Sequence, residues 1–125
     1  MERIKTRADI LEDRLITFGI MVVRIAEALP NNDFGKKTRD QLSRSGPSPA
    51  QNYGEMRSAE SRRDFIHKMK IGLKELRETF VSIKLVKKYM ELENKSVPTL
   101  DTAFKENDEL ISIFVKSIQT AAKKD

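Results

Sequence analysis

Residues 61–92 read SRRDFIHKMKIGLKELRETFVSIKLVKKYMEL. Phe65, Met69, Gly72, Leu76, Phe80, Ile83 and Val86 recur at steps of three and four, the spacing of one face of an α-helix. Ser61-Arg62-Arg63-Asp64 stands before the apolar run like a capping box, although Asp is a weaker third-position partner than Glu. Gly72 inside the stripe costs a helix about 1 kcal/mol against Ala. Its presence there points to close approach by a neighbouring helix. The spacing predicts a long amphipathic helix ending near Leu92, followed by a turn at Asn94-Lys95-Ser96.

Downstream, Ser96 or Val97 is expected to open another helix, with Pro98 in its first turn, where proline is tolerated. Leu100, Phe104, Ile111, Phe114, Ile118 and Ala121 form its stripe, and Lys123 and Lys124 complement the helix dipole at its end. Upstream, a segment runs from about Phe34 to Arg57. Its middle, Ser43-Arg44-Ser45-Gly46-Pro47-Ser48-Pro49, holds two prolines and a glycine, which local rules read as a break or strong kink. The first segment runs from about Arg7 to Ala28 on a stripe of Ala8, Leu11, Leu15, Phe18, Val22, Ile25 and Leu29. Pro30-Asn31-Asn32-Asp33 then turns the chain. Ile16, Ile20 and Val23 widen the apolar face of this segment beyond what one core needs, which points to a subunit interface. Four amphipathic segments joined by short turns predict an all-α fold: an antiparallel up-down four-helix bundle forming one domain over residues 1–125.

Composition narrows the function. The chain of 125 residues is 38% hydrophobic and 34% charged, too apolar for a disordered polymer. It has no Cys, which removes disulfides, thiolate nucleophiles and Cys-based metal sites. Met1-Glu2-Arg3-Ile4-Lys5-Thr6-Arg7 lacks the apolar core of a signal peptide, and no apolar run approaches a membrane span. A cytoplasmic protein is expected. The net charge of +5 is uneven: residues 36–74 hold ten Lys and Arg against four Asp and Glu, while the remainder holds fourteen against fifteen. Such asymmetry points to phosphate or an acidic partner.

Motifs for catalysis are sparse. His67 is the only histidine, no G-x-S-x-G accompanies it, and Asp64-x-x-His67 is a lone near-match to the paired Glu-x-x-His of a di-metal bundle. The glycines stand singly, so no phosphate cradle forms from them. No catalytic residue, metal ligand, cofactor or membrane is expected. Two polar groups stand out instead. Ser48, Asn52 and Glu55 share a helix face near Arg44, while Glu75 and Glu78 lie one turn apart on the long helix, within reach of Arg44 across a bundle. With no nucleophile or metal ligand beside them, Arg44, Ser48, Asn52, Glu55, Glu75 and Glu78 are read as a structural hydrogen-bonded network that fixes helix register.

Around these residues the chain resembles a known family. Leu29-Pro30, Gly35-Lys36 and Gln41-Leu42-x-Arg44-Ser45-Gly46-x-Ser48-x-x-x-Asn52-Tyr53-x-Glu55 lead into Ser61, Asp64-Phe65-Ile66-His67-Lys68 and Ile71-x-Leu73-Lys74-Glu75-x-Arg77-Glu78-Thr79. This run is similar to the bacterial four-helix-bundle family encoded in intervening sequences of large-subunit ribosomal RNA genes. A related branch of that family serves as the accessory protein of diversity-generating retroelements. The resemblance implies an up-down bundle assembling into a homo-pentamer, with a basic surface for nucleic acid and, in that branch, a reverse transcriptase partner. Relatives usually continue the second helix through the stretch where Pro47 and Pro49 stand here, so one bent helix, kinked near Gly46–Pro49, is expected.

The expected function is therefore non-enzymatic binding of RNA or DNA by an oligomer, with phosphate contacts from Lys36, Lys37, Arg39, Arg57, Arg62, Arg63, Lys68, Lys70 and Lys74. An aromatic content of 6% makes base stacking a minor contributor. The competing expectation is a protein–protein scaffold or adaptor, for example for a reverse transcriptase, that does not itself bind nucleic acid.

Overall fold

The computed structural model describes residues 4–123, all of whose regular structure is helical. In chain order the helices are α1 (Arg7–Glu27), α2 (Asp33–Ser45), α3 (Ser48–Arg57), α4 (Arg62–Leu92) and α5 (Leu100–Ala122). Helices α2 and α3 are two halves of one bent helix, so the chain makes a four-helix bundle. Each long helix runs antiparallel to the next: the start of α2 meets the end of α4, and the end of α3 meets the start of α1. Diagonal helices make no close backbone approach, which leaves the centre to side chains.

Those side chains are largely the expected ones. Leu15, Phe18, Val22 and Ile25 of α1 meet Leu42, Tyr53 and Met56 from the bent helix. Met69, Leu76, Ile83 and Val86 of α4 and Leu110 and Phe114 of α5 close the core. Phe18 and Phe114 are 1% and 0% exposed, and burying a side chain of that kind contributes about 1.5–3 kcal/mol. A Cβ on Gly72 would lie 2.7 Å from Met56 Cε and 2.8 Å from the Phe114 ring, so the close approach is made by side chains of two neighbouring helices.

The bend keeps helical geometry. Gly46 (φ −61°, ψ −55°) and Pro47 (φ −76°, ψ −15°) both stay in the right-handed helical region. Gly46 N–H donates to the Leu42 carbonyl at 2.9 Å and Gln51 N–H to that of Pro47 at 3.1 Å. Pro47 and Pro49 lack the donors that would join the two halves into a straight rod. At this point α1 presses in: a Cβ on Gly46 would fall 2.4 Å from Val22 Cγ1.

The termini show where local reading falls short. α1 begins with a complete capping box, Thr6 accepting from Asp9 N–H and Asp9 from Thr6 N–H. At α4, Ser61 accepts from Asp64 N–H at 3.0 Å, but the Asp64 carboxylate takes the Glu60 N–H instead, which makes half a box. α4 ends in a Schellman motif, with Asn94 at φ 54° and Lys95 N–H donating to the Met90 carbonyl at 2.9 Å. α5 starts later than the sequence implies. Thr99 sits at φ 69°, outside helical geometry, so Pro98 precedes the helix rather than occupying its first turn. The buried face of α5 is also rotated from the expected stripe. It runs Leu100, Ala103, Asn107, Leu110, Phe114, and leaves Phe104, Ile111, Ile118 and Ala121 only partly buried. Lys123 caps this helix, and Lys124 lies outside the described residues.

Candidate nucleic-acid interface

Most of the excess charge sits on α4, which carries nine Lys and Arg against four Asp and Glu. Its buried stripe includes Met69, Gly72, Leu76, Ile83 and Val86, so residues half a turn away form an outer ridge. Arg63, Lys70, Lys74 and Arg77 lie on that ridge at steps of seven, four and three. All four are exposed, and none joins an ion pair or hydrogen bond among the described residues. Unpaired cations keep their full charge available to a phosphate. Arg77 is absent from the expected set, although its spacing from Lys70 and Lys74 places it on the same face. Lys84 extends the line, its ammonium 4.9 Å from the centre of the Phe80 ring.

The other expected phosphate contacts divide. Lys36 and Lys37 are exposed on α2, but at the opposite end of the bundle from Arg62 and Arg63, near where Asn32 and Phe34 meet Tyr89. Arg39 is committed elsewhere. Its guanidinium donates to the carbonyls of Ala26, Leu29 and Pro30 at 3.3, 2.8 and 3.3 Å and closes the C-terminal end of α1. Arg57 pairs with Asp9 at 3.0 Å and Glu12 at 3.2 Å, and its hydrogen bond to Asp9 raises its pKa above the ordinary arginine value. Lys68 pairs with Asp64 at 3.1 Å one turn back, which holds that carboxyl below its usual range. Three of the nine expected cations thus pin helices together or sit in local pairs. Sequence offers no signal for the first two, because Arg39 turns back onto carbonyls at the end of α1 and Arg57 meets carboxylates at its start.

The polar network splits in the same way. Asn52 donates to Ser48 Oγ at 3.2 Å, and Ser48 makes a short hydrogen bond to Glu75. Arg44 does not reach a carboxylate directly. It donates to Gln41 Oε1 at 2.6 Å, and Gln41 in turn contacts Glu78 at 3.4 Å. Between these two chains the buried Thr79 hydroxyl meets Ser45 Oγ at 2.8 Å and the Glu75 carbonyl at 2.9 Å. Glu55 stands apart, exposed and bonded to none of them. Three of these contacts, Ser48–Glu75, Gln41–Glu78 and Thr79–Ser45, tie the bent helix to α4 at the level of the bend, where the prolines weaken its own ladder. His67 is exposed, and no group of three or more His, Cys, Asp or Glu able to hold a metal occurs among the described residues.

A second surface lies on α1. Ile16 and Ile20 are 46% and 50% exposed, and with Val23 they border Pro47 and Ala50 in an apolar groove beside the bend.

Over this whole architecture the chain has a solved counterpart. It is similar to a crystal structure described as a protein of unknown function from the S23 ribosomal protein family of Bacteroides thetaiotaomicron. The two share 26% identity and a TM-score of 0.73, over 91% of this chain and 99% of that one. The likeness points to a ribosomal-protein-like family. No protein-family model matches the chain, and no curated protein does. Among the described residues, no helix is long and apolar enough to cross a membrane.

Proposed function

We propose that this protein is a non-enzymatic, oligomeric nucleic-acid-binding protein of the ribosomal RNA intervening-sequence type, acting in the cytoplasm. The observation that carries the reading is the outer ridge of α4, where Arg63, Lys70, Lys74 and Arg77 stand exposed and unpaired. A row of free cations on one rigid helix contacts phosphates without reading bases, so binding is electrostatic and weakly sequence-specific. The apolar groove of α1 supports an assembly, a homo-pentamer by the resemblance, which would repeat the ridge by symmetry.

Fluorescence anisotropy against labelled structured RNA and duplex DNA across a salt series tests this. The expected result is a log affinity that falls linearly with log salt, lost in the double variant Lys70→Glu/Lys74→Glu. Absence of binding at low salt would remove the proposal. A specific observation favours a second reading. Val81 and Leu85, each 53% exposed, interrupt the ridge with apolar surface suited to a protein partner such as a reverse transcriptase. In that scaffold reading, nucleic acid fails to bind while a partner is still held.

A further inference from the structure

The bundle is least closed along the seam between α1 and α5. Partway along, Arg14 bridges the two helices through Glu106 and Glu109. Beyond it, toward the start of α1 and the end of α5, the seam opens into a cleft of about 1050 Å³. The floor is apolar, with Leu11, Tyr53, Phe65 and Ile113. The walls carry five cations, Arg7, Arg14, Arg57, Arg62 and Lys116, and among the described residues no carboxylate lines the cleft. Arg14 and Arg57 are neutralised by acidic partners behind them, whereas Arg7, Arg62 and Lys116 are exposed and unpaired among the described residues.

Tyr53 gives an independent indication. It is only 6% exposed, yet its hydroxyl has no hydrogen-bond partner among the described residues. That oxygen is not one of the sealed, unsatisfied polar atoms of the interior, and Tyr53 lines the cleft. A buried phenol ordinarily finds a partner, and none of the described residues supplies one here, although the charges of Arg57 and Glu12 both act on it.

We propose that this cleft binds a small anionic amphiphile. Its carboxylate or phosphate head lies among Arg7, Arg62 and Lys116 and accepts from the Tyr53 hydroxyl, while its apolar body covers Leu11, Phe65 and Ile113. A short apolar floor with a few convergent donors is the form of a small-molecule pocket. The lining spans about two helical turns on each wall, from Arg7 to Arg14 on α1 and from Ile113 to Ala121 on α5. Arg7, Lys116 and Tyr53 lie outside the α4 ridge, so this site stands or falls separately from nucleic-acid binding.

The test is titration calorimetry of the full-length protein with decanoate, decyl phosphate and decylamine below their micelle concentrations, alongside NMR shift mapping. Decanoate or decyl phosphate is expected to bind once per protomer and to shift Tyr53, Phe65 and Ile113. The variant Arg7→Glu/Lys116→Glu should weaken that binding about tenfold or more, since both changes reverse unpaired surface charges. Tyr53→Phe should weaken it severalfold, and Thr120→Trp, which fills the mouth, should abolish it. RNA affinity of Thr120→Trp should stay unchanged. Equal binding of decylamine, shifts mapping elsewhere, or binding to anionic phospholipid vesicles without binding to the free amphiphiles would each overturn the proposal.

Discussion

Arg14 of α1 grips Glu106 of α5 with two parallel hydrogen bonds, Nε to Oε2 at 3.0 Å and Nη2 to Oε1 at 2.6 Å. The fork is partly shielded, with side-chain exposures of 30% and 21%, and Glu106 raises the guanidinium pKa above its ordinary value. It is the polar clasp of the seam whose far half stays open.

Replacing Arg14 with Ala should therefore lower stability by about 1–2 kcal/mol, more than a solvated pair would cost. Arg14→Lys keeps the charge but loses the fork, and should recover less than half of that loss. Urea midpoints of the two variants and of Glu106→Gln decide the matter.

Glycine substitutions should separate by position. Gly46→Ala would drive a methyl into Val22, which is fully buried and stiff at χ1, and should cost about 2–3 kcal/mol. Gly54→Ala meets nothing within 4 Å on an exposed helix and should stabilise by about 0.5–1 kcal/mol. Thermal melts of both proteins would show midpoints moving in opposite directions.

Asn107 is fully buried in α5. Its amide donates to the Leu76 carbonyl at 3.0 Å, while its own oxygen lacks a partner among the described residues. Replacement by Leu should raise stability by about 1 kcal/mol, because an unsatisfied polar atom leaves the core. The same change should weaken helix register, seen as broadened amide resonances in α5. A drop in stability would mean that the hydrogen bond outweighs the orphaned oxygen.

On the ridge, Lys74→Gln and Arg77→Gln should each flatten the slope of log affinity against log salt by about 0.7–0.9. Lys105→Gln, on the outer face of α5, should leave the slope alone. Equal effects at all three positions would argue for a diffuse field rather than a ridge.

Burial pushes the Tyr53 phenol above its ordinary pKa, so the unfolded chain ionises first as pH rises. The stability this confers is full below the unfolded value of about 10 and is lost as pH climbs through the folded one. The urea midpoint should fall above about pH 10, and fall less in Tyr53→Phe.

The helices were legible because each is a local matter of period, whereas local rules left the prolines as a break or a kink and the resemblance supplied the single bent helix. The phase of α5 was not, because Asn107 occupies a core position where apolar periodicity looks for a hydrocarbon, and Ala103 is too small to mark the face. The roles of Arg39 and Arg57 were hidden for another reason. A cation is read from sequence by its neighbours, yet Arg39 donates to carbonyls at and just beyond the end of α1, and Arg57 is paired by α1 carboxylates that folding brings to it. The ridge was half-legible: Lys70 and Lys74 stood out by charge, whereas Arg77 sits between two glutamates, Glu75 and Glu78, and needed the helix face to separate it from them. The α1–α5 cleft leaves no trace in sequence, since its lining comes from three separate stretches of chain, 7–14, 53–65 and 113–121.

With 31 residues, α4 is the longest helix of the bundle. The distances between its cations are set by the rise of one continuous helix, about 1.5 Å per residue. Breathing at the bend or opening of the α1–α5 seam alters how the other helices lie without changing those intervals. The molecule thus carries its charges on a ruler, and under the proposed function a phosphate chain would meet the same intervals whatever the other helices do.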